Sequence, residues 1–552
     1  MSKQQSLTKT TEQMQSIFSW LTGNLTALYI LIMLCIFPLY THNKYFDILK
    51  SRFNFFWHGT LALCIIFLLL GVFYLFADLI YTHGTLRRAW LQSMKWSSLR
   101  KRLLPTDYAF TALILITALS TAFSEYPYES FWGNRGRYSG LLLWLMFYLA
   151  YMIITRFYRF RRWHMNAFLV TGLLVCLWGI TDFFEMDIFG FLKGVSDQYR
   201  FIFYSSIGNA NTYTNLTAMI FAASAVLFIY EKKPVSIAFY YIVMAASAFA
   251  DIGGNSDNVI LSAGIVFAVL PFVVWKNRQG LYRYFMILAT FLSMMAVIGS
   301  AINAGIRTIA EWNPGMLLTL TQKGFIGVMA AAIWLLSLLI LFTGRKKPTG
   351  SSKASGADIP YRTLRRIWGG LFAAAVCVVL FILYDANHGG HPDLYQAYSS
   401  ALIFNNEWGT GRGLNWSLAL DFFTRKMDLL HQLFGHGPDT YFTITMDHYM
   451  SIMEKAGYGM FDSAHNEYLE YIMTIGILGA AAYIATVVTA VRKLLFNSGA
   501  NAAVTACGCT VLAYATQAVI NISIPITTPV YILLMSIGIS LVKAEEMPEK
   551  IK

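Results

Sequence analysis

The chain has 552 residues, of which 57% are hydrophobic and 13% charged, and a mean hydropathy of +0.52. A soluble protein of this size carries about 25% charged residues, and here the apolar residues gather into runs that reach the roughly 20 residues needed to cross a bilayer core. A soluble domain is excluded, and the lack of alternating strand patterns excludes a membrane β-barrel. The formal net charge of +13 does not signal a nucleic-acid partner, because the basic residues lie in short links between apolar runs, as they do on the cytoplasmic side of a membrane protein.

In chain order, Met1 to Gly23 is polar, with Lys3 and Lys9. It leads into a first apolar run that has no small-residue cleavage site behind it, so a retained helix is expected, not a signal peptide. Apolar runs follow near 25–40, 60–81, 107–123, 141–154, 167–184, 213–230, 235–249, 259–275, 284–304, 316–342, 367–384, 468–491, 502–519 and 529–542. This predicts an all-α polytopic membrane protein of about fourteen transmembrane helices. Simple alternation puts the basic links 82–106, 155–166, 231–234, 276–283, 343–366 and 492–501 on one side. That side is expected to be cytoplasmic, with both termini on it, in the inner (cytoplasmic) membrane. The stretch Thr343 to Pro360, rich in Gly, Ser and Lys, is expected to be a flexible tether. All six cysteines fall inside apolar runs, which points away from a disulfide framework or a zinc site.

Most outer links are short, but the one from Asp385 to Glu467 is roughly 80 residues long and holds six of the ten histidines. Links of that length are usually functional. The expected organisation is therefore an N-terminal bundle of about eleven spans over 1–384, an extracytoplasmic catalytic loop over 385–467, and about three further spans over 468–552. Within the loop, Leu414 to Leu433 mixes apolar residues with charges, suiting either a helix on the membrane surface or the core helix of a small subdomain.

Three loop motifs can carry chemistry. Gly409-Thr-Gly-Arg412, with Trp416 four residues on, offers a guanidinium fork that suits phosphate oxygens or anchors at a lipid headgroup. Phe434-Gly-His436-Gly-Pro-Asp439 is a tight turn, structural or catalytic through His436. Asp462-Ser-Ala-His465-Asn-Glu runs directly into an apolar helix, with Asp462 or Ser463 as N-cap. That cap would put His465 in the first turn, where the helix dipole disfavours an imidazolium and attracts an anion. A neutral imidazole there suits a general base, and an interfacial histidine bonded to the helix start is the plainer alternative. Two other outer segments are polar: Trp132-Gly-Asn-Arg135-Gly-Arg137-Tyr-Ser-Gly140, and Gly208-Asn209-Ala-Asn211-Thr-Tyr-Thr-Asn215. His388-Gly-Gly-His391 with Asp393 lacks a helix-spaced motif and a clear third ligand, so no metal and no cofactor is expected.

Together these landmarks resemble the O-antigen ligase family, related to O-antigen polymerases and bacterial protein O-oligosaccharyltransferases. The likeness runs through Gly208-Asn-Ala-Asn211, Gly411-Arg412 followed by Trp416, Gly435-His-Gly-Pro438, His465-Asn-Glu-Tyr-Leu469 and Gly476-Ile-Leu-Gly479, covering roughly 110–500. It implies a GT-C-like, metal-independent, inverting glycosyltransferase. Such an enzyme takes a glycan from undecaprenyl diphosphate and passes it to an acceptor hydroxyl on a glycolipid, polysaccharide or protein at the outer face of the bilayer. It also implies His465 as base and Arg412 as a diphosphate ligand, with Arg137 a second matching position. Arg135, Asn209, Asn211, Trp416 and His436 complete the expected substrate-binding set. The sequence departs from the family where a Ser-Arg pair is common at the outer start of the eighth span: Gly253-Gly-Asn-Ser256-Asp257-Asn258 has no arginine. Diphosphate binding then leans on Arg412, Arg135, Arg137 or Arg307. A repeat-unit polymerase differs from a ligase only in its acceptor. A lipid-linked glycan flippase or transporter would instead place ionisable groups near the midplane of its spans.

Overall fold

The computed structural model describes residues 3–134, 136–307, 315–343, 361–496 and 501–546. Among them the only strands are Phe203–Tyr204 and Gly208–Asn209, which pair antiparallel; all other regular structure is helical. Among the described residues, eleven helices are long and apolar enough to cross a membrane, and Leu141–Phe157 and Asn258–Val274 are shorter apolar ones. With Ala502–Gln517, the described residues have fourteen helices at the positions of the fourteen expected spans.

We number these α1 (Lys3–Leu31), α2 (Ile48–Tyr81), α3 (Pro105–Phe123), α4 (Leu141–Phe157), α5 (Arg162–Phe183), α6 (Ala210–Tyr230), α7 (Pro234–Gly253), α8 (Asn258–Val274), α9 (Arg278–Asn303), α10 (Phe325–Thr343), α11 (Tyr361–Asn387), α12 (Gly476–Val491), α13 (Ala502–Gln517) and α14 (Thr528–Glu546).

Helix α6 is the axis of the bundle: every residue of its most apolar window is buried, and it packs against α5, α7, α8, α9 and α13. Its run of Ala, Ser and Thr allows backbones to approach closely, which is how helices associate where lipid supplies no hydrophobic drive. At the other extreme, none of the corresponding window of α11 is buried, and only 17% of those of α2 and α10 is. These three line the lipid-facing perimeter.

Some buried carboxylates join neighbouring helices. Asp107, in the first turn of α3, accepts the Leu104 N–H (2.6 Å), the Tyr151 hydroxyl (2.9 Å) and the Lys543 ammonium (2.7 Å), joining α3, α4 and α14 on the basic face. Asp251, fully buried on α7, accepts the Thr217 hydroxyl of α6. It lies within a helix that runs four residues past the expected end of its span, to Gly253.

Two expected spans are divided. The run at 316–342 forms Met316–Thr321, whose first N–H groups at Met316 and Leu317 Asp257 accepts (3.0 Å each), and then α10. The run at 468–491 forms Glu467–Thr474 and then α12, with the break at Ile475 and at Gly476, whose φ is +71°.

The long outer link folds into helices Trp408–Asp421, Leu429–Phe434 and Tyr441–Lys455, the first and last of which share a core of their own. Leu414, Leu418, Ala419 and Phe422 are buried in it beside Tyr441, Ile444 and Met453. Of the two roles open for 414–433, that of a core helix is the one observed, with Leu420 and Leu430 left exposed.

Candidate active site

The Phe434–Asp439 turn docks the outer helices onto the bundle. Gly437 donates its N–H to Thr474 O (2.7 Å), and Ser120 of α3 donates to the same carbonyl (3.0 Å). Ser124 donates its hydroxyl to His436 O. Asp439 accepts the backbone N–H groups of Asn134 (2.7 Å) and Ser139 (2.8 Å), which brings the polar segment before α4 up to the loop. The approach is backbone to backbone: a Cβ on Gly435 would sit 2.3 Å from Thr474 C, and one on Gly476 2.2 Å from Leu433 O. Both glycines have positive φ, so the turn and the helix break need each other.

His465 lies just before the short helix Glu467–Thr474. The expected cap at Asp462 or Ser463 is corrected: Asn466 is the N-cap, and its side chain accepts the N–H groups of both Tyr468 and Leu469 (3.1 Å each). That leaves His465 outside the first turn, in the left-handed region at φ +48°. The segment is held from three directions. Asn415 donates to Ser463 O (2.8 Å), the Trp416 indole N–H donates to Ala464 O (2.8 Å), and the Ala464 N–H donates to Glu470 (3.2 Å). Trp416 therefore spends its polar atom on the His465 loop. Asn415, itself fixed by the Tyr441 hydroxyl (2.6 Å), was not singled out in the sequence.

Two arginines flank the imidazole. Arg137 pairs with Asp462 (2.5 Å), and its Nε is buried with no hydrogen-bond partner. Arg412 follows three consecutive left-handed residues, Gly409, Thr410 and Gly411, and donates to Gly409 O (3.1 Å). Its Nε is likewise buried and unpartnered. Burial pushes His465 down to about 4, and the positive charges of Arg412 and then Arg137 push the same way, against Asp462. The imidazole is thus neutral at pH 7, with burial rather than the helix dipole as the main cause. The departure segment also faces Arg412, whose guanidinium feels the Asp257 carboxylate. Two half-buried cations, each with a buried and unused Nε donor, beside a neutral base suit an anion next to a proton acceptor.

The remaining expected residues lie elsewhere. His436 is buried, stacked on His431 with ring centroids 4.1 Å apart, and next to Phe422; burial pushes it down to about 4. Asn209 caps α6 by accepting the Asn211 N–H (2.9 Å). Asn211 accepts the Ser256 hydroxyl (2.5 Å), and its carbonyl accepts Asn258 (3.0 Å) and Asn521 (3.3 Å), knitting the outer ends of α6 and α8 to the link before α14. Arg307 is buried over Phe183 (5.8 Å) and pairs with Glu185. Arg135 lies outside the described residues. His391 pairs with Asp385 (2.9 Å), and among the described residues no three metal-ligating side chains come together.

Fold and site together define a multi-pass, all-α membrane protein in which one histidine and two arginines meet beneath a folded outer loop. Residues 315–484 match the family model described as O-antigen ligase. That stretch carries Arg412, Trp416, His436 and His465, whereas Arg137, Asn209 and Asn211 fall before it. Over that stretch, under a third of the chain, the sequence is similar to the O-antigen ligase family. No curated protein matches the chain.

Proposed function

We propose that the protein transfers a glycan from undecaprenyl diphosphate to an acceptor hydroxyl on the outer face of the cytoplasmic membrane, with both of its termini in the cytoplasm. The supporting observation is the neutral imidazole of His465 set between Arg137 and Arg412, whose Nε atoms are buried without acceptors. In this reading the acceptor hydroxyl gives its proton to His465 while its oxygen attacks the anomeric carbon. The bond from that carbon to the diphosphate oxygen breaks, and the arginines compensate the charge that develops there. A single displacement inverts the anomeric centre. The reaction runs on these side chains without a metal.

The segment Gly253–Asn258 contributes no cation, and its Asp257 caps Met316–Thr321. Arg412 and Arg137 therefore carry the diphosphate. The test uses purified protein in proteoliposomes with a defined undecaprenyl-diphosphate glycan and candidate acceptors, with product mass read out. His465→Ala is expected to lower transfer by about 10²- to 10⁴-fold, the usual worth of a positioned base; unchanged transfer sinks the assignment. Longer glycan on the carrier identifies a polymerase, and glycan on a different lipid, polymer or protein identifies a ligase.

A further inference from the structure

On the opposite, basic face, helix α1 turns one stripe toward the link between α4 and α5. Trp20, Asn24, Ala27, Leu28 and Leu31 recur every three or four residues and so share a side of the helix. Arg159, Arg161 and Trp163 face them across a cavity of about 210 Å³. The cavity has a polar end and an apolar end. Arg159 lies level with the start of the stripe, because it donates to Ser19 and its Cδ is 3.5 Å from where a Cβ on Gly23 would sit. Leu31 lies eight residues further on, about 12 Å at the helical rise. Arg161 is exposed and forms no ion pair among the described residues, and no acidic residue lines the cavity. Trp20 and Trp163 are 63% and 51% exposed, at the level where tryptophans anchor at a membrane surface.

A cationic head region that grades along one helix into an apolar wall has the shape and charge pattern of one molecule, a phospholipid with a negative headgroup. We propose that this groove binds an anionic glycerophospholipid of the leaflet on the basic face, its phosphate on Arg159 and Arg161 and a chain along Ala27, Leu28 and Leu31. The site is separate from the His465 cleft, and neither arginine belongs to the transfer machinery.

The experiment is native mass spectrometry of the full chain in detergent, titrated with phosphatidylglycerol, phosphatidylcholine or soluble glycerol phosphate. The expected result is one tightly held phosphatidylglycerol, not displaced by glycerol phosphate. Arg159→Gln with Arg161→Gln is expected to weaken it about 30-fold, at about fivefold for each basic residue beside an anionic headgroup. Gly23→Leu blocks the groove while keeping both arginines; its Cβ meets only ordinary contacts at 3.5 Å, so it tests the site even where the double variant fails to fold. Equal retention of phosphatidylglycerol by all variants, or equal binding of phosphatidylcholine, overturns the proposal. So does displacement by glycerol phosphate, which would make the groove a free-phosphate site.

Discussion

Trp416→Phe tests whether the loop that presents His465 is held by the tethers described above. The substitution keeps an aromatic ring against Trp408, whose centroid is 4.9 Å away, but removes the N–H that Ala464 O accepts at 2.8 Å. Ala464 is fully buried, so its carbonyl has no water to turn to. An unpaired buried acceptor costs about 1–3 kcal/mol. Against this, the left-handed backbone of His465 at φ +48° opposes the active arrangement by about 1–2 kcal/mol. The tethers from Asn415, Trp416 and Glu470 contribute about 1 kcal/mol each, so losing one brings the balance near zero. The imidazole then spends much of its time out of place. With about 1–2 kcal/mol in hand and about 1–3 kcal/mol lost, kcat should fall roughly 2- to 30-fold, at about 1.4 kcal/mol per factor of ten. The KM for the lipid donor should stay within about twofold, because neither arginine is touched. Steady-state transfer in proteoliposomes separates the two parameters. Wild-type kcat in Trp416→Phe, or a loss that appears wholly in KM, refutes this role for the indole. Asn415→Leu should reproduce the kcat defect, and the double variant should lose less than the product of the two single losses, since both act on one loop.

Three further outcomes follow from the geometry. Gly437→Ala places a Cβ 1.9 Å from Ser130 Oγ at a φ of +103°, so it should undock the outer helices; faster proteolysis of the outer loop with an intact bundle is the readout. His465 is held at about 4, so kcat/KM should be flat from pH 5 to 8, and Arg137→Gln should move the acid limb upward; a wild-type limb near 6.5 would contradict the assignment. The same shift makes the unfolded chain bind a proton that the folded one does not between about 4 and 6.5, so this group's contribution to stability falls as pH drops through that window. Lys543→Met strands the buried Asp107 and should lower the melting temperature by the equivalent of about 3–5 kcal/mol, with Asp107→Asn in the same chain restoring most of it.

The bundle was legible because each span needs its own apolar run and the basic links mark one face, so spacing and charge together carry the topology. The divided spans were not legible. Hydropathy sees 468–491 as one stretch, and nothing in its composition says that Gly476 takes φ +71° to let the Gly435 turn come within backbone contact. Nor does it say that Asp257, nearly 60 residues upstream, caps the helix at Met316. Both are long-range backbone contacts, invisible to any window along the chain.

The site divides along the same line. His465, Arg412 and Arg137 stood out because arginines are scarce on this face and a histidine near them suits proton transfer. Their supports did not stand out: Asn415, Tyr441 and Glu470 act by hydrogen bonds whose partners are set by the fold. The corrected cap bears on mechanism as well as on geometry. A histidine in the first helical turn would owe its neutrality to the dipole and keep it with the cleft open to water. His465 instead owes it mainly to burial and then to two arginines, so its basicity is coupled to what fills the cleft. In the proposed reaction, an arriving diphosphate would offset the arginine charges and raise the imidazole toward its ordinary value. The base would then be stronger with the donor bound, which would favour proton transfer from an acceptor over an idle encounter with water.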